Sequence, residues 1–77
     1  MAEKRYIRLT AEHMEWTGHV AEFIKEQTMG PNSTQMYVFK DVSNDMGNDR
    51  IVTADEAEFI TEKEYFVAVL QGKLFGG

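Results

Sequence analysis

The chain contains no cysteine and only one proline among its 77 residues. Without cysteine it can form neither a disulfide nor a thiolate metal site. Secreted domains of this size usually rely on disulfides, so we expect a reducing, cytoplasmic location. The first residues lack the apolar segment of a signal peptide, and no apolar run approaches the roughly 20 residues of a membrane span. We therefore expect no membrane association.

The chain also lacks an excess of positive charge. It carries 8 Lys and Arg residues against 13 Asp and Glu residues, for a net charge of −5. Residues 1–40 hold five acids and five bases, whereas residues 41–77 hold eight acids and three bases. Nucleic-acid binding depends largely on Lys and Arg that neutralise phosphates, so we expect no direct nucleic-acid binding. An acidic domain is better suited to a protein partner with a basic surface.

Residue patterns that carry catalysis are scarce. The two serines, Ser33 and Ser43, lie in polar segments without the strand–turn–helix setting of a nucleophile elbow. The glycines match neither GxGxxG nor GxxxxGK, the patterns of phosphate-binding loops. We therefore predict that the protein is not an enzyme and requires no cofactor or metal.

The residues that are present are sufficient for one hydrophobic core. Hydrophobic residues make up 43% of the chain, and a single domain over residues 1–77 is expected. Residues 4–9 alternate in polarity and predict a strand. Residues 10–28 predict a helix, because Trp16, Val20, Phe23 and Ile24 have the spacing of one helical stripe. A long bent strand over residues 15–27 is the competing interpretation. In the helical one, Trp16 is buried.

The second half predicts a hairpin and a terminal helix. Residues 36–39 and 50–53 read as two strands joined by a loop rich in turn formers. The capping-box pattern from Thr61 to Glu64 favours a helix over residues 62–71, although residues 65–70 also suit a buried strand. A second capping box spans Thr53 to Glu56. We expect an α+β fold, a small single-layer antiparallel sheet packed by helices in the order β-α-β-β-α. The alternative is a ferredoxin-like β-α-β-β-α-β order.

Two short patterns suggest more specific functions. Residues 45–56 resemble an EF-hand calcium loop, with Asp45, Asp49 and Glu56 at ligand positions, but Gly47 and Arg50 depart from that pattern. Gly76 and Gly77 resemble the ends of ubiquitin-like and sulfur-carrier proteins, which implies activation of a terminal carboxylate. A β-grasp fold would need two strands before its helix, and the sequence predicts one.

Acidic residues supply the candidate partner-binding sites. Five carboxylates within ten residues form the acidic cluster, which consists of Asp55, Glu56, Glu58, Glu62 and Glu64. On the predicted first helix, Glu15, His19 and Glu22 share one face, which suits docking better than metal binding because matching ligands are lacking elsewhere. We predict a small acidic protein–protein interaction module, a regulator, inhibitor or adaptor that docks to a basic surface.

An excess of apolar residues near the end of the chain supports a different class of function. Phe59, Phe66, Leu74 and Phe75 exceed what one short helix can bury on a single face. The alternative prediction is therefore a structural or homo-oligomeric component of a larger assembly.

Overall fold

The fold is an antiparallel five-stranded sheet with one α-helix across it. The computed structural model describes residues 4–12, 15–43 and 49–77. Its elements are β1 (Arg5–Leu9), β2 (Val20–Met29), β3 (Thr34–Phe39), β4 (Arg50–Thr53), a one-turn 3-10 helix (Ala54–Glu56), β5 (Ala57–Ile60) and α1 (Glu62–Leu70). The strand order is β4-β3-β2-β1-β5, and every neighbouring pair is antiparallel. No helix in these ranges is long and apolar enough to cross a membrane.

Several local predictions are confirmed. The first strand, the pairing of residues 36–39 with residues 50–53 and the terminal helix all form where the sequence patterns placed them. The α+β class is also confirmed. Both capping boxes form: Thr61 and Glu64 bond to each other at the start of α1, and Thr53 and Glu56 do so at the 3-10 helix.

The predicted helix over residues 10–28 is wrong. Within the described part of this segment, residues 15–18 form a turn and residues 20–29 form β2. Gly18 has a φ of +87°, which a helix interior does not allow, and it ends the turn before β2. Because β2 lies between β1 and β3, both of its edges are hydrogen-bonded, and this tertiary pairing outweighs a weak helical preference. The orders β-α-β-β-α and β-α-β-β-α-β are therefore both incorrect.

The residues of the predicted helical stripe do not share one face in the structure, because most of them belong to β2. Ala21 and Phe23 share a face with Ile7, whereas Val20 lies opposite Arg8 and faces the other side of the sheet. Ile24 lies at a register shift between β2 and β3 and is exposed. Trp16 precedes the strand and is 40% exposed, so the prediction that it is buried is wrong.

A connected cluster of buried residues lies on one face of the sheet, which we call the core face. Every strand contributes to it, and Phe75 fills it from the end of the chain: the buried cluster consists of Ile7, Leu9, Ala21, Phe39, Val52, Ala57 and Phe75. Phe75 is positioned by a parallel bridge between Val20 and Leu74. In this bridge the Val20 amide donates to the Lys73 carbonyl, and the Phe75 amide donates to the Val20 carbonyl. Residues 73–75 thereby occupy the side of β2 that β3 does not reach.

Helix α1 packs against the opposite face, which we call the helix face. The ring of Tyr65 stacks on Tyr6 of β1 with 4.1 Å between centroids. Burial raises the pKa of Tyr65 above its ordinary value, and the charge of Glu22 adds to this. Beside the stack, the guanidinium of Arg8 bonds to Glu58 at 3.1 Å and to Glu64 at 3.5 Å. One arginine thus links β1, β5 and α1.

Candidate binding surface

Three aromatic rings contact one another on the core face, beside the buried cluster. Phe23 from β2, Tyr37 from β3 and Phe59 from β5 lie with ring centroids 5.0 to 5.5 Å apart. Phe23 and Tyr37 pack against the edge of the buried core, and Phe59 remains 37% exposed. We call these three residues the aromatic patch.

The strand register explains why residues so distant in sequence meet here. Phe23 lies opposite Arg5 and Phe59 lies opposite Ile7, so both side chains point to the core face. Successive side chains alternate between faces, and Tyr37 shares the face of the buried Phe39 two residues later. The buried cluster occupies one part of this face. The aromatic patch lies beside that cluster and remains partly exposed to solvent.

The guanidinium of Arg5 covers the patch. Its central carbon lies 3.7 Å from the centroid of Phe59 and 5.4 Å from that of Phe23. Both distances fall within the range of favourable cation–π contacts. Beside it, a cleft of about 720 Å³ opens between the start of β1 and the end of β5, and its lining includes Lys4, Arg5, Phe59 and Glu62.

The acidic cluster is distributed over three elements and is largely engaged in local contacts. Glu56 accepts from the amide and hydroxyl of Thr53, and Glu58 binds Arg8. Glu64 accepts from Thr61 and Arg8, and the Thr61 hydrogen bonds hold its pKa below the ordinary value. Asp55 and Glu62 are exposed, and neither has an ion pair within the described part of the chain. As a docking site the cluster remains a prediction.

Glu15, His19 and Glu22 are not presented on one helical face. Glu15 is exposed in the turn, whereas Glu22 belongs to β2 and lies 3.8 Å from the ammonium of Lys4. The ring of His19 packs edge-on against Trp16 at 5.7 Å, and its buried Nδ1 has no hydrogen-bond partner among the described residues. The part of the chain that the structure describes holds no group of three His, Asp or Glu residues arranged to bind a metal.

The two patterns suggestive of specific functions are placed differently. Asp45 and Gly47 of the calcium-loop pattern lie outside the described residues, Asp49 is exposed, and Glu56 is the capping residue of the 3-10 helix. Gly76 packs closely against Asp41 and Ser43 in a turn closed by a bond from the Gly77 amide to the Leu74 carbonyl. The carrier function suggested by these two glycines stays a prediction.

Comparisons with protein-family models, curated proteins and solved structures found no match for this chain.

The aromatic patch has no signature in the local sequence patterns. The helical interpretation places Phe23 in a stripe with Trp16, and it leaves Phe59 as surplus apolar surface rather than as part of a site. A period-2 interpretation of residues 20–29 places Phe23 and Ala21 on one face. The convergence of Phe23 with Tyr37 and Phe59 still depends on the strand order, which no local pattern specifies.

Proposed function

We propose that the protein is a protein-interaction module that holds an extended segment of a partner along β5, over the aromatic patch. The observation that carries this proposal is the exposed ring of Phe59, which joins Phe23 and Tyr37 beneath Arg5 next to an open cleft. Aromatic and arginine side chains are the residues enriched at the energetic centres of protein interfaces. We include in this proposal a role as regulator, inhibitor or adaptor and a location in the cytoplasm. The absence of cysteine supports the location.

The position of β5 supports an extended ligand. It is an edge strand that pairs only with β1 among the described strands. The amide of Thr10 donates to the carbonyl of Glu56, and bonded pairs alternate along an antiparallel ladder. The amides and carbonyls of Ala57 and Phe59 therefore point to the open side of β5, where an added strand could bond to them.

Peptide selection tests this proposal because a random library can replace an identified partner. A phage-displayed library of random twelve-residue peptides is selected on the protein, and the enriched peptides are measured against two variants. Phe59→Leu alters the patch, and Phe66→Leu is the matched control because it changes another exposed phenylalanine, on α1. We expect Phe59→Leu to weaken binding about five- to tenfold, the loss of an aromatic contact at an interface, and Phe66→Leu to leave it unchanged. Selection of no peptide, or of peptides indifferent to Phe59→Leu, would contradict the proposal.

Self-association through α1 is a second candidate function, corresponding to a structural or homo-oligomeric component. The observation that favours it is the exposure of Leu70, at 88%, together with exposed Phe66 and Val67 on the same short helix. Phe75 does not contribute, since it is buried in the core. Sedimentation of the protein and of Leu70→Gln from about 5 to about 500 μM tests this. A concentration-dependent oligomer that Leu70→Gln dissociates supports it, and a monomer throughout excludes it.

A further inference from the structure

The three arginines that the structure describes are paired differently. Arg8 bonds to Glu58 and Glu64 on the helix face, and Arg50 bonds to Asp41 at 3.0 Å. Arg5 contacts only aromatic rings and has no carboxylate partner among the described residues. An arginine that faces a cleft and has no carboxylate partner within the described part of the chain can bind a carboxylate from another molecule.

Stacking prepares this guanidinium for a planar anion. The guanidinium lies over the ring of Phe59 and Arg5 is exposed, so its planar set of N–H donors remains available to a ligand. Carboxylates bind arginine edge-on through two parallel hydrogen bonds, and the stack removes part of the conformational freedom that such binding would otherwise lose.

The surroundings favour a local anion site within an acidic protein. Lys4 lines the same cleft, but its ammonium lies 3.8 Å from the carboxylate of Glu22, so Arg5 is the cation that contacts the exposed ring of Phe59. Among the described residues that line the cleft, Glu62 is the only acidic one. The net charge of −5 opposes non-specific binding of anions to this protein. An anion that binds in the cleft must therefore be held by specific contacts with Arg5.

We propose that Arg5, stacked on Phe59, binds the carboxylate of an acidic side chain in the segment that docks along β5. This inference rests on the proposed function and adds the chemistry of the ligand. Arg5 supplies the two hydrogen bonds, and the backbone edge of β5 holds the segment extended. The interface thus selects an acidic residue at one position, in contrast to the basic partner surface predicted for the acidic cluster.

Three capped pentapeptides test the proposal by NMR titration of the full chain. Each alternates threonine and valine around a central residue, which is glutamate, glutamine or arginine. We expect the glutamate peptide to bind about fivefold tighter than the glutamine peptide, as an exposed charge-assisted contact allows, and to shift the Arg5 Nε–Hε resonance. The preference should decrease as salt is raised.

Two substitutions of Arg5 distinguish the effect of its planar hydrogen-bonding group from the effect of its positive charge. Arg5→Gln should abolish the preference for glutamate, and Arg5→Lys should retain less than half of it because an ammonium lacks the planar fork. Lys40→Gln is the matched control: it removes one positive charge at another exposed position and should leave the preference intact.

Two results would overturn the proposal. Equal affinity for the glutamate and glutamine peptides, or no binding of either, removes the assigned role of Arg5. Tighter binding of the arginine peptide, strengthened further by Arg5→Gln, would assign the aromatic patch to cations instead. The library selection tests the proposed interaction function independently of Arg5. Enriched peptides that depend on Phe59 but contain no acidic residue would support docking along β5 and contradict the role of Arg5.

Discussion

Gly76 lies directly against the carboxylate of Asp41, so close that a Cβ at position 76 would overlap Oδ1. The φ of Gly76 is +78°, a conformation that residues with a side chain rarely adopt. Asp41 is itself buried and accepts hydrogen bonds from the Ser43 amide, the Ser43 hydroxyl and Arg50. The turn at the end of the chain and the loop after β3 are thus held together around one carboxylate.

Gly76→Ala should destabilise the protein more than the same change at Gly72. Both glycines have a positive φ, of +78° and +77°, so both alanine variants incur backbone strain of about 1–2 kcal/mol. Nothing lies within 4 Å of the Cβ position at Gly72, whereas the Cβ at Gly76 meets Asp41 and Ser43. We expect Gly76→Ala to cost about 1–3 kcal/mol more than Gly72→Ala in urea unfolding. Equal unfolding midpoints would contradict this packing.

The stability of the protein should fall on acidification partly through Asp41. Hydrogen bonds from Ser43 and Arg50 hold the pKa of Asp41 below its ordinary value in the folded state. The folded state therefore favours the carboxylate, and the stabilisation is complete above the pKa of the unfolded chain, about 4. It is lost as the pH falls through that value and then through the lower folded pKa.

Thermal unfolding between pH 7 and about pH 2.5 measures this contribution. Asp41→Asn should have a lower Tm than the wild type at pH 7, and the two curves should converge at low pH. Asp55→Asn is the control, since it removes an exposed carboxylate without an ion pair in the described part of the chain. It should follow the wild-type curve. Parallel curves for Asp41→Asn and the wild type would show that Asp41 does not contribute in this way.

Thr61 should contribute to stability as the N-cap of α1. Its hydroxyl accepts from the Glu64 amide at 3.1 Å, and the Glu64 carboxylate bonds back to Thr61. Thr61→Ala removes the acceptor and should cost about 1 kcal/mol, whereas Thr61→Ser preserves it and should cost much less. The unfolding free energy from urea titration distinguishes them, and equal losses would show that the cap is not formed.

Phe75 should matter more to stability than Trp16, although the helical interpretation of residues 10–28 predicts that Trp16 is buried. Phe75 is 4% exposed within the core, and Trp16 covers it from outside with 5.0 Å between ring centroids. Phe75→Ala should cost about 3–5 kcal/mol, enough to unfold much of a domain this small. Trp16→Ala should remain folded with a loss of about 1–2 kcal/mol, because part of the ring already contacts water. Circular dichroism and urea unfolding test the order, and a larger loss for Trp16→Ala would contradict it.

The elements that the sequence predicted correctly are those with strong local signals. The β3–β4 hairpin has two β-rich segments around a polar loop, and α1 begins at a complete capping box. In contrast, the apolar spacing from Trp16 to Ile24 fits a helix by coincidence, and the pairing partners that make residues 20–29 a strand lie elsewhere in the chain. β5 has only four residues, too few for a periodic pattern.

The candidate surface was less predictable than the fold. The acidic cluster was visible as a run of carboxylates, but its contacts with Arg8, Thr53 and Thr61 depend on how β5 and α1 pack. The aromatic patch combines three strands, and Arg5 contacts Phe59, 54 positions away in sequence, because β1 pairs with β5. Such contacts follow from strand order, and local sequence patterns do not determine it.

The placement of Phe75 has a consequence for the order of events during synthesis. When residues up to Leu70 have left the ribosome, all five strands and α1 are available, but the core still lacks the ring that fills it. The edge of β2 near Val20 is also unpaired until residues 73–75 arrive. The domain therefore cannot reach its final packing before Phe75 emerges, and its apolar face stays exposed to other chains until then.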